Sequence, residues 1–162
     1  MEVYDMTKTN AMRLLEAAGI SYRPTAYEYD ESDLSGKHVA EVTGMEPDQV
    51  FKTLVARGDR MGIMVFCIPV SCKLDLRKAA IVAGDKRVEM TQMRELLPLT
   101  GYIRGGCSPV GMKKQYPTFM EETALLYPEI AISAGQRGLQ MILNPQDLIR
   151  LLRIKTADLV EY

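Results

Sequence analysis

The sequence predicts a mixed α/β (α+β) fold whose sheet is at least partly antiparallel, and three observations carry that prediction. Apolar runs of strand length alternate with short amphipathic stretches, with no long helix among them. Two of those runs, Phe51 to Ala56 and Gly62 to Val70, flank a Gly58-Asp59 turn and so read as a hairpin. Capping side chains and closing glycines recur between the runs and keep each helix short.

The elements follow in order. Thr9 or Asn10 can cap a first helix whose apolar face is Met12, Leu15 and Ala18, with Gly19 just past its end. Tyr22 to Tyr29 reads as extended, and Pro24 assigns it to a sheet edge, since proline has no N–H to give a second neighbour. Ser35 can cap a helix from Gly36 to Thr43 closed by Gly44, and Pro47 suits the first turn of another. After the hairpin, Asp75 caps a helix through Ala83, closed by Gly84. Val88 to Met90 is a short strand, and Thr91 begins a helix that Pro98 should end. Thr118 to Glu121, Ile130 to Ser133 and Leu139 to Leu143 read as three more strands. Asn144-Pro145 then opens a last amphipathic helix with Leu148, Leu151 and Leu152 facing inward. No repeat, linker or low-complexity segment interrupts the 162 residues, so one domain over 1–162 is expected.

Composition narrows the function classes. Hydrophobic residues at 47% and charged residues at 25% fit a globular chain. The longest apolar stretch, Ile63 to Val70, is strand-sized, so no membrane span is expected. The N-terminal MEVYDMTKTN lacks the apolar segment of a secretory signal, which makes the cytoplasm the expected location. Cys67, Cys72 and Cys107 are irregularly spaced, with no CxxC, and His38 is the sole histidine, so neither a disulfide framework nor a zinc site is expected. Carboxylates alone can hold magnesium, but no Asp/Glu constellation argues for it. No cofactor is expected. The net charge of −1 does not advertise nucleic-acid binding, although Lys73-Arg77-Lys78, Lys86-Arg87 and Lys113-Lys114 are local basic clusters. Taken singly, each reads as a solvated surface.

Three segments depart from plain core-and-surface patterning. Lys52 opens an apolar strand between Phe51 and Leu54. Position alone favours the plain reading, a stem over apolar surface with its amine in water. The functional alternative is an amine at a pocket rim, aimed at phosphate or ribose. The stretch GYIRGGCSPVG, with Gly101, Gly105, Gly106 and Gly111 beside Ser108-Pro109, lets backbone approach a ligand and can form an oxyanion nest. It is neither a Walker loop nor a dinucleotide fingerprint, and such turns are mostly structural. Ser133-Ala134-Gly135-Gln136-Arg137-Gly138 reads as a turn between strands. No GxSxG elbow surrounds Ser133, so it reads as a hydrogen-bonding or plain turn residue.

Taken together, FKTL (Phe51 to Leu54), RKAA (Arg77 to Ala80), KRVEM (Lys86 to Met90), GYIRGGCSPVGMKK (Gly101 to Lys114), SAGQRGLQ and NPQDL closely resemble the YbaK/EbsC family, in order and from about Thr7 to Val160. These are freestanding relatives of the editing domain of bacterial prolyl-tRNA synthetase. The resemblance implies a mixed, mostly antiparallel, barrel-like sheet packed by helices. It implies an aminoacyl-tRNA deacylase that acts in trans on mischarged Cys-tRNA(Pro), with prolyl-tRNA synthetase as a possible partner. Carried over residue by residue, Lys52 is the catalytic position. Gly101, Gly105 and Gly106 line the pocket with Ser108, Pro109 and Ser133, and Tyr27 and Asp147 stand near it. Some members carry an aromatic residue just before the helix at Gly36, where this chain has Leu34-Ser35. Two rival readings stay open, a deacylase for another small amino acid such as alanine and a non-catalytic module that holds a nucleotide or tRNA end.

Overall fold

The structure is a computed structural model that describes residues 8–29, 32 and 36–162, without the side chains of 36, 37 and 42. Ser35 and the Leu34-Ser35 pair therefore lie outside the described residues. Helix α1 (Asn10–Ala17) is capped by Thr9, whose Oγ1 accepts from Met12 N, and it buries Met12 and Leu15. Strand β1 (Arg23–Ala26) is indeed an edge strand, paired only with β7 (Leu139–Leu143). Helix α2 (Gly36–Thr43) follows, then a 3-10 turn at Pro47–Gln49.

Strands β2 (Phe51–Gly58) and β3 (Gly62–Pro69) form the hairpin, in register from Phe51↔Pro69 to Gly58↔Gly62. The hairpin is longer than the sequence implies because the Asp85 carboxylate accepts from Arg60 N and Met61 N and so holds the turn. Helix α3 (Leu76–Ala83) is capped by Asp75 and closed by Gly84 at φ 70°. Strand β4 (Val88–Met90) leads to a 3-10 turn (Met93–Glu95) and helix α4 (Leu96–Thr100).

Two expectations fail here. Thr91 does not start the helix, since its N and Oγ1 both donate to Val55 O, and Gln92 caps the turn instead. Pro98 does not end α4. It sits within the first turn, where its missing N–H is needed by no carbonyl, and the helix runs on to Thr100 before Gly101 turns it at φ 86°.

Strand β5 (Thr118–Glu121), a 3-10 turn (Glu122–Leu126), β6 (Ile130–Gln136), β7, helix α5 (Pro145–Leu152) and β8 (Lys155–Ala157) complete the chain. Among the described residues the strands form two sheets, β1-β7-β6 and β4-β2-β3-β5-β8. Pairing is antiparallel except for β3–β5 and β5–β8, which are parallel. The barrel-like expectation is corrected: no closed barrel forms. The isolated bridge Val50↔Ala131 ties the start of β2 to β6, and buried side chains of both sheets share one core.

The hairpin is the shared wall. Phe51, Val65 and Cys67 point to a core with Met12, Leu15, Ile132, Met141 and Leu148, while Met64, Phe66 and Ile68 point to a second one under α3. Phe66 stacks on Phe119 with centroids 5.1 Å apart. Each fully buried side chain of this size contributes about 1.5–3 kcal/mol of transfer free energy. Because β3 is buried on both faces, its sequence is a continuous apolar run rather than an alternating one.

Candidate active site

Strand β4 pairs only with Ala56, Arg57 and Gly58 of β2, and the Thr91–Val55 bonds end that ladder. Beyond this point the outer edge of β2 meets no strand among the described residues until the Val50–Ala131 bridge. The gap holds a cavity of about 560 Å³. Its sides are Phe51 to Val55 of β2, Met90 to Met93 with Leu96, Arg104, Gly105 and Cys107 of the glycine-rich loop, and Ser133 and Gln140 of the second sheet. A break in strand pairing thus leaves a candidate binding cavity, with backbone, apolar and polar groups all present.

Lys52 enters the cavity lining from the β2 face that carries Leu54, opposite Ile68. It is half-buried. Burial pushes its ammonium below the usual lysine range; the neighbouring Cys72 side chain pulls the other way, and Lys73 adds to the depression. No carboxylate among the described residues is one of the groups acting on it. A desolvated cation with no internal counter-charge favours an anionic or strongly polar ligand.

Two buried side-chain oxygens among the described residues lack a hydrogen-bond partner, Thr53 Oγ1 and Gln140 Oε1. Both residues line this cavity. The Cys67 thiol lies close enough to Thr53 to feel its hydroxyl, but not in bonding geometry. Leaving such a group unmet costs about 1–3 kcal/mol. Gln140 is 5% exposed and stands directly across the ladder from Ser133. A β-bulge between Ser133 and Gln136 bends β6 at this point, and Ser133 Oγ accepts from Gly135 N at 3.1 Å. The expected turn is therefore shorter than it reads in the sequence, with only Arg137-Gly138 outside the strands.

Of the residues singled out in the sequence, Lys52, Gly105 and Ser133 come together in the lining. The others do not line it. Gly101 is the left-handed end of α4, covered by the Lys113 stem. Gly106 presses on the β6–β7 turn, where an added Cβ would stand 3.0 Å from the backbone of Gln136 and Arg137. Ser108 is fully buried and its Oγ accepts from Val110 N, and Pro109 is buried beside it. Tyr27 packs against a cluster that includes Val39 and Val50, which do line the cavity, and is not itself in the lining. Asp147 lies in the first turn of α5, paired with Arg150. Sequence reading missed Thr53, Gln140, Cys107 and Arg104. A signal existed for Gln140 alone, a polar residue inside the apolar run LQMIL.

The Cys107 thiol is a neutral part of the wall, since burial pushes it up to about 12. Among the described residues no three His, Cys, Asp or Glu side chains gather into a metal-binding group, and no helix is long and apolar enough to cross a membrane.

Comparison with known proteins places the chain in a family. The model of the aminoacyl-tRNA editing domain family matches residues 34–151. A protein of Enterococcus faecalis named provisionally as a Cys-tRNA(Pro)/Cys-tRNA(Cys) deacylase, EbsC, is 45% identical over 152 residues, 94% of this chain and 93% of that protein. A crystal structure described provisionally as a trans-editing enzyme for prolyl-tRNA synthetase superposes with a TM-score of 0.79 at 29% identity, over 94% of this chain and 97% of the other. The hypothetical protein APE2540 shares the fold, with a TM-score of 0.84 at 21% identity over 92% of this chain and 97% of that one. With the family model spanning both the lysine strand and the glycine-rich loop, and near-complete overlap with a 45%-identical relative, this chain belongs to the aminoacyl-tRNA editing domain family and is by class an aminoacyl-tRNA deacylase.

Proposed function

We propose that the chain is a cytoplasmic, single-domain trans-editing enzyme that removes cysteine from mischarged tRNA(Pro), with prolyl-tRNA synthetase as its partner and no metal. The observation that carries this reading is one cavity holding an uncompensated ammonium, Lys52, two orphaned oxygens, Thr53 Oγ1 and Gln140 Oε1, and the backbone at Gly105. Such a set suits the end of a charged tRNA, which brings phosphate, ribose hydroxyls and an α-ammonium together. The similarity to EbsC supports cysteine as the amino acid.

An aminoacyl ester is already activated, so no strong protein nucleophile is needed. In cysteinyl-tRNA the substrate thiol attacks its own carbonyl. The S–C bond forms, the bond from the carbonyl carbon to the ribose O3′ breaks, and the thiol proton ends on that oxygen. Water later opens the released thiolactone to free cysteine. Well-oriented intramolecular attack reaches effective molarities of about 10⁵–10⁸ M, which places the catalytic burden on orientation. Lys52 offsets charge at the terminal ribose and phosphate, and the backbone at Gly105 stabilises the oxyanion, while the Gly106 N–H is spent on Ile103 O and holds the loop's shape. Tyr27 and Asp147 shape the surroundings without touching substrate. Lys73 and the exposed Lys113-Lys114 pair steer the acceptor stem. Lys78 does not, because its amine is held by Asp158, Val160 O and the Tyr162 ring.

The test is deacylation of Cys-, Ala- and Ser-tRNA(Pro) side by side, with and without chelator and synthetase. Release of cysteine well above serine and alanine, unchanged by chelator, is expected. Serine released as fast as cysteine removes the thiol from the mechanism, alanine released fastest shifts the specificity, and binding without release of any amino acid overturns the enzymatic reading.

A further inference from the structure

We infer that Tyr102 is a positioning residue for the deacylation: it fastens the loop that supplies Gly105 to the bulged strand that supplies Ser133. This rests on the functional reading above, and Tyr102 itself stands outside the cavity lining. Its hydroxyl donates to Val110 O at 2.5 Å, closing the loop from behind. Its backbone N donates to Thr100 Oγ1 at 3.0 Å, and that oxygen in turn donates to Leu96 O at 2.8 Å, so the residue is anchored to α4. Its ring then leans on Gly135, where an added Cβ would stand 3.0 Å from Cε1. Gly135 is at φ 104° and donates its N–H to Ser133 Oγ. One side chain therefore touches both pieces of backbone that bring polar groups to the cavity.

Two other contacts lock the same seam. Gly106 leaves no room against Gln136 and Arg137, where an added Cβ would stand 3.0 Å from their backbone, and Arg137 Nε donates to Arg104 O at 2.8 Å. Both lie toward the tip of the loop, whereas Tyr102 fixes its base. Burial pushes the Tyr102 phenol up to about 12, so it stays a neutral donor throughout the working pH range. An oxyanion nest made of backbone N–H groups works only if its loop is held still, and misplacement by about 1 Å costs a hundredfold in rate.

The variant Tyr102→Phe removes one hydroxyl and leaves the ring on Gly135. Its kcat on Cys-tRNA(Pro) should fall by about tenfold or more with KM close to wild type, since the phosphate- and ribose-binding groups do not move. Amide hydrogen exchange should rise in 104–110 and 133–137 and stay unchanged in the β2–β3 hairpin. An unchanged kcat, a rise in KM alone, or faster exchange spread over the whole chain would overturn the inference. If the wild-type protein deacylates no charged tRNA, the functional reading fails instead. The exchange pattern then decides the matter by itself, with equal protection of both segments in variant and wild type counting against Tyr102.

Discussion

Lys52 is a partly desolvated cation in the cavity lining. Its ammonium is held below the usual range by burial, without a carboxylate to offset it. A lysine whose folded pKa lies below its unfolded value, about 10.4, binds fewer protons folded than unfolded between the two. Stability therefore rises as pH climbs through that window, and Lys52→Met should flatten the rise in urea titrations. The same substitution, or Lys52→Ala, should lower deacylation about a hundredfold while leaving Tm close to wild type. A large drop in Tm with proportionate loss of activity would return Lys52 to a packing role. The cysteines behave oppositely. Burial pushes Cys67 and Cys107 up to about 12, whereas Cys72 is partly exposed. Iodoacetamide at neutral pH should label Cys72 alone, as peptide mass mapping would show; labelling of Cys107 in the native protein would mean the cavity wall opens.

At the scale of elements, most helix caps were legible from side chains acting on their own neighbours, although the Gln92–Glu95 capping box and the place of Pro98 inside α4 were not. Thr9, Asp75 and Asn144 cap the helices that their positions imply, with Asn144 Oδ1 accepting from Gln146 N at 2.9 Å. Replacing Asn144 by Ala should cost about 1 kcal/mol in urea unfolding with little change in activity. What was not legible depends on partners distant in sequence. Thr91 looks like a cap, but a carbonyl 36 residues earlier claims its hydroxyl. Strand β8 has no pattern of its own, since three residues alternate too briefly to read, and it exists because β5 offers a free edge. The bulge at Ser133 likewise follows from the fit of β6 to β7, so a segment that reads as a turn is strand through Gln136.

Across the whole molecule, the candidate site lies in a seam that the fold leaves open, where β4 stops short of the full length of β2 and the second sheet joins only through the Val50–Ala131 bridge. The sequence pointed to Lys52, Gly105 and Ser133 through motifs, but not to Thr53 or Gln140, because an unmet buried oxygen is visible only once its surroundings are fixed. That difference makes a direct prediction about the balance between stability and function. Gln140 belongs to a strand whose other members are all buried and apolar, and its Oε1 has no partner. Methionine has nearly the same shape without the polar oxygen. If the oxygen has no substrate donor to meet, Gln140→Met should raise stability and leave deacylation unchanged. If it waits for a substrate donor, the substitution should raise stability by about 1 kcal/mol and lower kcat/KM by about tenfold or more. Thermal melting and deacylation kinetics on one preparation separate the cases. A stabilised protein with reduced activity is the expected result, because a polar group left without a protein partner beside the cavity is a cost that a substrate donor would relieve.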